Sequence, residues 1–447
     1  MVILNSHRCT YCGGCVSVCP VEALTLHETR LVVLEECIDC GDCVASCPVG
    51  ALQMETTQQP SEQREPHRKY DAVVVGAGPG GSTAARTMAE AGLSVLLLEK
   101  RQEIGSPVRC AEGIGQEQLT SFIEPDPSWI AAEVDKAEIT SVKGDERNTI
   151  QGSGGSGYIL ERRIFDRVLA EMATDAGVHV MVKTPATALL MEEGRIRGVR
   201  IRDCFSQGNA EIDIEARLII AADGIEAQVG RWAGLDLQLP LEDTMVCAQF
   251  LLANIDIDPT CTYYEINHDI APGGYAWVFP KGDGKANVGL GVQADLWEEF
   301  ADQNPECRRI GHGTVLGFLT RYIESNPRLE RGNPVTLITG NVPVNPLSSN
   351  ILADGLLIVG DAARQVDPLT GGGIYTAMTA GQLAGQVAAG ALSANDTSAR
   401  FLKKYQEGWD QSEGRKLKRN ARLRHKFPPE ARSDSRFLHA FATAVGG

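Results

Sequence analysis

The sequence lacks any long apolar stretch, and this absence excludes one large class of proteins. None of its 447 residues belongs to a run near the roughly 18 to 20 apolar residues that a membrane-spanning helix needs, which argues against an integral membrane protein. The first residues also lack the apolar core of an export signal, so we expect a cytoplasmic protein. Positive charge is scarce: 42 basic residues face 58 acidic ones, a formal net charge of -16. No nucleic-acid partner is therefore expected, because neutralising phosphates requires a basic surface.

Motifs of hydrolytic and zinc chemistry are also missing. The sequence contains no H-E-x-x-H, no G-x-S-x-G and no histidine pair at helical spacing. Glycine, by contrast, is abundant with 47 residues, which indicates tight turns and close approach of backbone to ligands. There are also 13 cysteines, eight of them within the first 50 residues.

These eight cysteines form two copies of one spacing, C-x-x-C-x-x-C-x-x-x-C-P. Each copy is followed by a similar apolar tail, so the segment is an internal duplication. The spacing resembles that of bacterial-type ferredoxins with two 4Fe-4S clusters, in which the fourth cysteine of each copy crosses to the other cluster. The resemblance implies one cluster on Cys9, Cys12, Cys15 and Cys47, and a second on Cys37, Cys40, Cys43 and Cys19.

Two other uses of eight cysteines fit the sequence less well. A zinc site needs only four ligands, and a disulfide framework needs an oxidising compartment. We therefore predict a two-cluster domain over residues 1–56, which owes its fold to cluster binding rather than to an apolar core. Residues 57–69 carry prolines and charges without aliphatic or aromatic side chains, which is typical of a linker.

A nucleotide-binding unit opens the second domain, predicted over residues 70–390. A buried strand runs into Gly76-x-Gly78-x-x-Gly81, a helical stretch and a second apolar strand that ends at Glu99. In this βαβ context the glycines bring backbone N–H groups to a pyrophosphate, and the acid accepts hydrogen bonds from a ribose.

Two later strand ends favour FAD over NAD. One strand ends in Asp223-Gly224; another ends in Gly360-Asp361 and is followed by Gly371-Gly-Gly-Ile374 and a helix of small residues. Together these segments resemble flavoproteins of the p-hydroxybenzoate hydroxylase type, an α/β fold with an α+β substrate part and a Rossmann-type βαβ unit. The resemblance implies that Asp361 holds the ribityl chain and that Gly372, Gly373 and Ile374 face the flavin. Since no second strand-linked glycine motif follows, we expect no NAD(P)H domain, and electrons arriving through the clusters from an external low-potential donor.

An aromatic strand narrows the family. Within residues 244–293, the segment P-x-x-Y-x-W-x-F-P places Tyr275, Trp277 and Phe279 on one face of a strand. Such a strand is also found in ordinary half-buried cores. The full motif, however, resembles that of geranylgeranyl reductases, where it lines the cavity for an isoprenoid chain. The resemblance makes Tyr275 and Trp277 candidate catalytic residues.

A second segment, P-V-R-C-A-E-G, follows the Glu99 strand and resembles the P-V-R-C-G-E-G segment of archaeal geranylgeranyl reductases, with Ala111 in place of glycine. In that family the segment passes beside the flavin. The resemblance implies contacts with FAD from Arg109, Cys110, Ala111 and Gly113, from Arg162 in an R-x-x-F-D element, and from Ala186 on the adenine side. Cys110 is a candidate catalytic residue; an inert buried thiol is the alternative.

The resemblance implies a flavin-dependent reductase that saturates C=C bonds in geranylgeranyl chains of isoprenoid lipids. The alternative is an enzyme similar to electron-transfer flavoprotein–quinone oxidoreductase, which would reduce a quinone. A non-catalytic electron carrier and a flavin halogenase are further, weaker alternatives. The remaining residues, 391–447, are predicted helical, with seven basic residues and no acid in 415–426. This stretch is either a solvated helix face or a contact for phosphate headgroups at the inner membrane surface.

Overall fold

The computed structural model describes residues 2–55, 69–152, 155–203, 211–296, 314–347 and 351–446. Over these ranges, none of the helices combines the length and apolarity needed to cross a bilayer. The predicted linker at 57–69 lies outside the described residues except for Lys69, which begins the first strand of the larger region. We call residues 2–55 the N-terminal module and residues 69–446 the main domain.

The N-terminal module repeats one small unit twice. Its elements are β1 (Val2–Leu4), α1 (Gly14–Ser17), β2 (Leu24–His27), β3 (Arg30–Val33), α2 (Asp42–Ala45) and β4 (Leu52–Met54). Strand β1 pairs antiparallel with β4, and β2 pairs antiparallel with β3. Each one-turn helix begins after a glycine in the left-handed region, Gly13 with φ 76° and Gly41 with φ 85°. Glycine adopts this conformation without steric cost, which lets the chain turn sharply between the second and third cysteine of each copy.

The main domain is built from eighteen strands and nine helices among the described residues. The strands are β5 (Lys69–Val75), β6 (Val95–Leu98), β7 (Gly113–Gly115), β8 (Ile130–Val134), β9 (Lys136–Lys143), β10 (Glu146–Gly152), β11 (Gly157–Leu160), β12 (His179–Met181), β13 (Ala186–Glu192), β14 (Arg195–Arg202), β15 (Glu211–Ala221), β16 (Thr244–Ala253), β17 (Cys261–Asn267), β18 (Tyr275–Pro280), β19 (Lys285–Gln293), β20 (Asn333–Pro343), β21 (Leu352–Ala353) and β22 (Leu356–Ile358). The helices are α3 (Pro79–Glu90), α4 (Gln116–Thr120), α5 (Arg162–Asp175), α6 (Gln228–Trp232), α7 (Val315–Ser325), α8 (Ile374–Ser393), α9 (Ala399–Gln411), α10 (Glu413–Lys426) and α11 (Ser435–Gly446).

The first sheet carries the nucleotide-binding unit. Its order is β12-β6-β5-β15-β14-β13, and β22 pairs in parallel with β15. Strands β5, β6, β12, β15 and β22 run parallel. Strands β6 and β22 and the C-terminal halves of β5 and β15 are buried, which explains their continuous apolar sequences, whereas β12 lies at the edge and is partly exposed. Helix α3 packs against the small-residue helix α8. A Cβ at Gly381 would lie 2.1 Å from the Gly80 carbonyl oxygen, so this close packing requires glycine.

The second large sheet carries the predicted substrate part. Its order is β10-β9-β17-β18-β19-β16-β20, so the segment predicted at 244–293 forms four neighbouring strands, β16 to β19. On one face, Ala276 and Val278 of β18 join an apolar core with Phe318 and Leu319 of α7. The opposite face carries the aromatic side chains of β18 and looks into the centre of the domain. A three-stranded sheet, β7-β11-β8, adjoins this centre.

The C-terminal helices belong to the same packed body. The predicted boundary at residue 390 falls inside α8, and Leu402, Trp409 and Leu417 of the following helices join the core of the first sheet. In α11, Phe441 packs against aromatic residues of the second sheet. The architecture, an α/β unit with a mainly antiparallel second part, agrees with the predicted fold class.

Candidate active site

The eight cysteines of the N-terminal module surround two small separate cavities. One is lined by Cys9, Cys12, Cys15 and Cys47, and the other by Cys19, Cys37, Cys40 and Cys43. These are the two sets that the crossed assignment predicts, so we call them the first and second cluster site. The four thiols of each set fit a 4Fe-4S cluster. No group of three or more His, Cys, Asp or Glu side chains in the described part of the chain is placed to hold a single metal ion.

The crossing cysteines have matching surroundings. The backbone N–H of Ala23 donates to Cys19 Sγ at 3.2 Å, and that of Ala51 donates to Cys47 Sγ at 3.1 Å. Burial opposes ionisation of Cys47, but several backbone N–H groups outweigh it and lower the thiol pKa. Since the thiolate is the metal ligand, these donors favour cluster binding.

One continuous cavity of about 880 Å³ lies between the two large sheets of the main domain. It begins at the glycine turn between β5 and α3. A Cβ at Gly81 would lie 1.9 Å from the Gly76 carbonyl oxygen, so this turn is closed by backbone contact alone. Glu99, at the end of β6, accepts hydrogen bonds from the Ala77 N–H at 3.2 Å and from the Arg101 N–H at 2.9 Å, which fixes the carboxylate at the edge of the cavity.

Two partly buried aspartates face the same cavity. Oδ2 of Asp223 accepts from the Val229 N–H at 2.9 Å, whereas its Oδ1 is buried and has no hydrogen-bond partner within the described chain. Burial raises the pKa of Asp223 and of Asp361, while Arg162 opposes this effect at Asp361. An unpartnered buried acceptor calls for a donor, and the hydroxyl groups of FAD supply one. The glycine turn and these acceptors therefore fit FAD.

The segment from Arg109 to Gly113 forms one wall of the cavity. Its Cys110 Sγ accepts from the Glu112 N–H at 3.2 Å, and the Cys110 carbonyl accepts from Gln249 Nε2 at 3.2 Å. Burial raises the pKa of the Cys110 thiol, so the thiol is protonated at neutral pH. Arg162 makes a bidentate ion pair with Asp166 at 2.7 Å, and its backbone N–H donates to Glu112 Oε1 at 2.7 Å.

The aromatic residues of β18 form the opposite wall. The Trp277 ring centroid lies 5.8 Å from that of Tyr275, and Trp277 Nε1 donates to Gln249 Oε1 at 2.8 Å. The Tyr275 hydroxyl donates to the Thr370 carbonyl, which joins this strand to the loop before α8. On the neighbouring strand, Gly289 pairs with Trp277, and a Cβ there would lie 2.4 Å from the indole. The glycines of β19 thus leave the space that the aromatic wall occupies.

All predicted cofactor and catalytic residues of the main domain line this cavity. They are Gly76, Gly78, Gly81, Glu99, Arg109, Cys110, Ala111, Gly113, Arg162, Ala186, Tyr275, Trp277, Asp361, Gly372, Gly373 and Ile374.

A buried ion pair behind the wall, between Lys281 and Glu112, was not predicted from the sequence. Lys281 Nζ lies 2.8 Å from Glu112 Oε2, and the two side chains are only 4% and 5% exposed. The same ammonium donates to the Leu160 carbonyl at 2.6 Å, and Asn287 Nδ2 donates to Glu112 Oε2 at 2.8 Å. The network fixes the Arg109–Gly113 segment against β18 and β19. Lys281 directly follows the aromatic motif, which is the one signal that could have indicated it.

The predicted basic stretch has two different faces. Arg424 is buried, lines the cavity, and donates to the carbonyls of Pro368 at 3.3 Å and Gly273 at 3.2 Å. Burial lowers its pKa to about 10; at Arg432, burial and the neighbouring Arg424 lower the pKa to about 8. The solvated-face alternative is therefore wrong for Arg424. It holds for the opposite side of α10, where four side chains spaced along one stripe are exposed: Arg415, Arg419, Arg422 and Lys426.

Three protein families match parts of the chain, and the second and third matches overlap. Residues 1–48 match the 4Fe-4S dicluster domain, residues 71–274 the FAD dependent oxidoreductases, and residues 243–342 the geranylgeranyl reductase catalytic domain. These matches confirm the predictions of FAD and of a two-cluster iron–sulfur module.

Relatives resemble the chain over most of its length. Digeranylgeranylglycerophospholipid reductase 1 of Methanococcoides burtonii is 44% identical over 361 residues, which are 80% of this chain and 84% of that protein. The digeranylgeranylglycerophospholipid reductase of Methanothrix thermoacetophila is 46% identical over 361 residues, 80% of this chain and 88% of that protein.

Solved structures show the same fold. A geranylgeranyl bacteriochlorophyll reductase-like protein from Thermoplasma acidophilum has a TM-score of 0.74 at 39% identity and covers 85% of this chain and 92% of that one. A flavin-dependent brominase has a TM-score of 0.64 at 17% identity, covering 85% and 94%, which shows likeness of fold alone.

Proposed function

The chain belongs to the geranylgeranyl reductase family of FAD-dependent oxidoreductases, and we propose that it saturates C=C bonds in the geranylgeranyl chains of archaeal-type ether phospholipids. Its own 4Fe-4S module supplies the electrons, and an external low-potential donor recharges that module. The observation that carries the proposal is the single cavity of about 880 Å³, which joins the FAD residues to an aromatic wall suited to a polyprenyl chain.

Saturating an isolated C=C bond takes two electrons and two protons. Bound FAD supplies the electron pair, because hydride transfer is chemistry that proteins assign to a cofactor. The glycine turn, Glu99, Asp223 and Asp361 hold FAD in this proposal. Trp277 and Phe279, 7% exposed each, pack against the prenyl chain and exclude water from the reacting carbons.

Three side chains at the cavity wall, Tyr275, Trp277 and Cys110, carry a polar hydrogen atom, and they differ in the hydrogen bonds that these atoms make. The Tyr275 hydroxyl donates to the Thr370 carbonyl, and the Trp277 N–H donates to Gln249. Both hydrogens are therefore held by protein acceptors. The Cys110 thiol, with a pKa raised by burial, keeps its proton at neutral pH and faces the same cavity. We assign the proton of the alkene to Cys110, and the positioning of the wall and the flavin loop to Tyr275.

The function is tested by anaerobic turnover of the holoenzyme with reductant and a digeranylgeranyl ether phospholipid. We expect lipid masses that rise in steps of one hydrogen pair per saturated bond, measured by mass spectrometry. Formation of quinol from an added quinone, with the lipid unchanged, would instead favour the quinone-reducing alternative.

The proton assignment is tested by comparing C110A with Y275F and with the control C247A. Cys247 lines the same cavity but lies on β16. We expect C110A to slow lipid saturation in single turnover by at least about tenfold, a typical contribution of a positioned acid being larger still. Y275F should slow it less. Equal rates in C110A and C247A would refute the role of Cys110.

The exposed stripe of α10 supports a peripheral membrane contact as part of the same proposal. One exposed face of α10 carries four basic side chains: Arg415, Arg419, Arg422 and Lys426. Lys416 and Leu417 of the same helix line the cavity. A lipid substrate held in an anionic bilayer would thus meet positive charge beside its entrance. We expect sedimentation with phosphatidylglycerol vesicles, weakened by salt and by R419E/R422E. Equal binding to phosphatidylcholine vesicles would contradict the electrostatic contact.

A further inference from the structure

One lysine of the main domain reaches a cluster ligand. Lys183, in the turn between β12 and β13, donates from Nζ to the backbone carbonyl of Cys9 at 2.8 Å. Its ammonium also lies 5.4 Å from the ring centroid of Tyr11. Cys9 and Tyr11 belong to the loop that provides the first two ligands of the first cluster site.

The backbone of Lys183 is tied to the FAD site. Its N–H donates to the Arg101 carbonyl at 2.7 Å, and the next residue, Thr184, donates from its N–H to the Glu99 carbonyl at 2.9 Å. Glu99 is the acid expected to hold the ribose. Thr184 is 1% exposed and lines the FAD cavity. Lys183 and its neighbour Thr184 therefore connect the loop of a cluster site with the ribose end of the FAD site.

A second cation supports the same contact. Arg202, at the end of β14, approaches His7 Nε2 with its Nη1 at 3.3 Å and lies 3.6 Å from Glu211. These contacts of the main domain, from Lys183 and Arg202, all reach residues 7–11 of the module. The second cluster site takes no part in them. Basic side chains suit this place, because a cluster bound by four thiolates carries net negative charge.

We propose that Lys183 is the docking and tuning residue between the N-terminal module and the main domain: it holds the first cluster site against the ribose end of the FAD site, and its charge makes the first cluster easier to reduce than the second. The inference rests on the proposed function only in taking the clusters as the source of electrons for FAD. Reduction adds one electron and hence one negative charge to a cluster, so a fixed cation nearby favours the reduced form. Electrons would then enter at the second cluster and leave from the first.

The tuning is tested on the full-length holoenzyme with both clusters and FAD, in the variants K183M and K183R. The exposed Lys403 of α9 provides the matched control K403M. We expect K183M to move the midpoint potential of one cluster to more negative values in a redox titration followed by electron paramagnetic resonance. K183R keeps the positive charge and should have the wild-type midpoint potential, and K403M should leave the midpoint potentials of both clusters unchanged. Equal iron and sulfide content establishes that the variants are loaded. Two unchanged midpoints in K183M would overturn the tuning role.

The docking is tested with K183E, which places a carboxylate beside the thiolate-bound cluster. We expect faster hydrogen exchange in residues 5–12 and 182–186, with the exchange of β2 and β3 unchanged. The rate at which reduced clusters bleach the flavin should fall at least tenfold in stopped flow. If K183E has the hydrogen-exchange rates and the flavin-bleaching rate of the wild type, Lys183 has no docking role. Neither readout uses lipid, so a wild-type enzyme that fails on lipid contradicts the proposed function and leaves the docking result standing.

Discussion

The two regions of the molecule form their cofactor sites in opposite ways. The apolar core of the N-terminal module consists of eight buried residues, three of which are cysteines: Val2, Cys9, Cys15, Leu24, Leu31, Cys43, Ala51 and Leu52. So few apolar side chains cannot offset the entropy of ordering the chain. The clusters are therefore part of the fold, and the ligands take their places only as the clusters bind.

The main domain builds its site from backbone that is already fixed. The strands next to the glycine turn are buried where they approach it, with Val73, Leu96 and Ile219 at 0% exposure. The turn itself is closed by contact between Gly76 and Gly81. Such a site exists before FAD arrives. Loss of a cofactor therefore has different consequences for the N-terminal module and for the main domain.

The largest expected effect is the unfolding of the N-terminal module when its clusters are absent. We expect C15A, or removal of iron by chelation, to abolish hydrogen-exchange protection in β1 to β4, while β5 and β15 keep theirs. The matched control is C261A, which removes a buried thiol from β17. Protection of β1 to β4 in iron-free protein would show that the N-terminal module folds without its clusters.

A smaller effect is expected where the preformed turn is overfilled. G81A drives a methyl group into the Gly76 carbonyl and should destabilise FAD-free protein by about 3 kcal/mol or more in urea unfolding. The control is G78A, whose Cβ would meet no heavy atom within 4 Å at a negative φ. G78A should change the stability of FAD-free protein by less than about 1 kcal/mol. Equal losses in the two variants would show that the turn is not closed in advance.

The buried pair behind the wall gives an effect of similar or smaller size. K281M leaves the Glu112 carboxylate buried without its cation and should cost about 3 to 5 kcal/mol. The double variant K281M/E112Q should recover part of this loss. An exposed pair offers the contrast: K136M, opposite Asp258, should cost far less stability than K281M, because solvent screens the pair. A loss in K281M no larger than that in K136M would show that the pair does not fix the wall.

The smallest effect concerns pH and is nil at neutrality. Burial raises the pKa of the Cys247 thiol to about 12 from an ordinary value of 9.0. Above pH 9 the unfolded chain therefore loses this proton while the folded chain keeps it, and stability falls as pH rises. Between pH 8 and pH 10 the wild type should lose about 1.4 kcal/mol more than C247A in urea unfolding. Parallel losses would place the thiol in contact with solvent.

Short-range patterns made much of this site predictable. The cysteine spacing predicts three converging thiols at each cluster site, because a short loop limits which thiols meet; the crossing of the fourth cysteine is what the ferredoxin resemblance implies. The glycine turn with Glu99, and the alternation of Tyr275 and Trp277, are likewise local, since both follow from one turn and from the two-residue period of a strand.

Contacts between distant segments were not predictable. Lys281 and Glu112 are 169 residues apart, and Lys183 and Cys9 are 174 apart. Sequence spacing carries no information on such pairs, because the fold of two separate sheets brings them together. The burial of Arg424 was not predicted for a related reason. Its neighbours in the sequence are basic and exposed, whereas its own position on α10 turns toward the cavity.

The crossed ligands have a consequence for how the protein fails. Cys19 lies in the first repeat but belongs to the second cluster site, and Cys47 does the reverse. Oxygen that destroys either cluster releases thiols of both repeats, so each repeat loses an anchor while it still carries ligands of the surviving cluster. Oxidative loss of one cluster therefore destabilises the binding site of the other, and the two repeats unfold together.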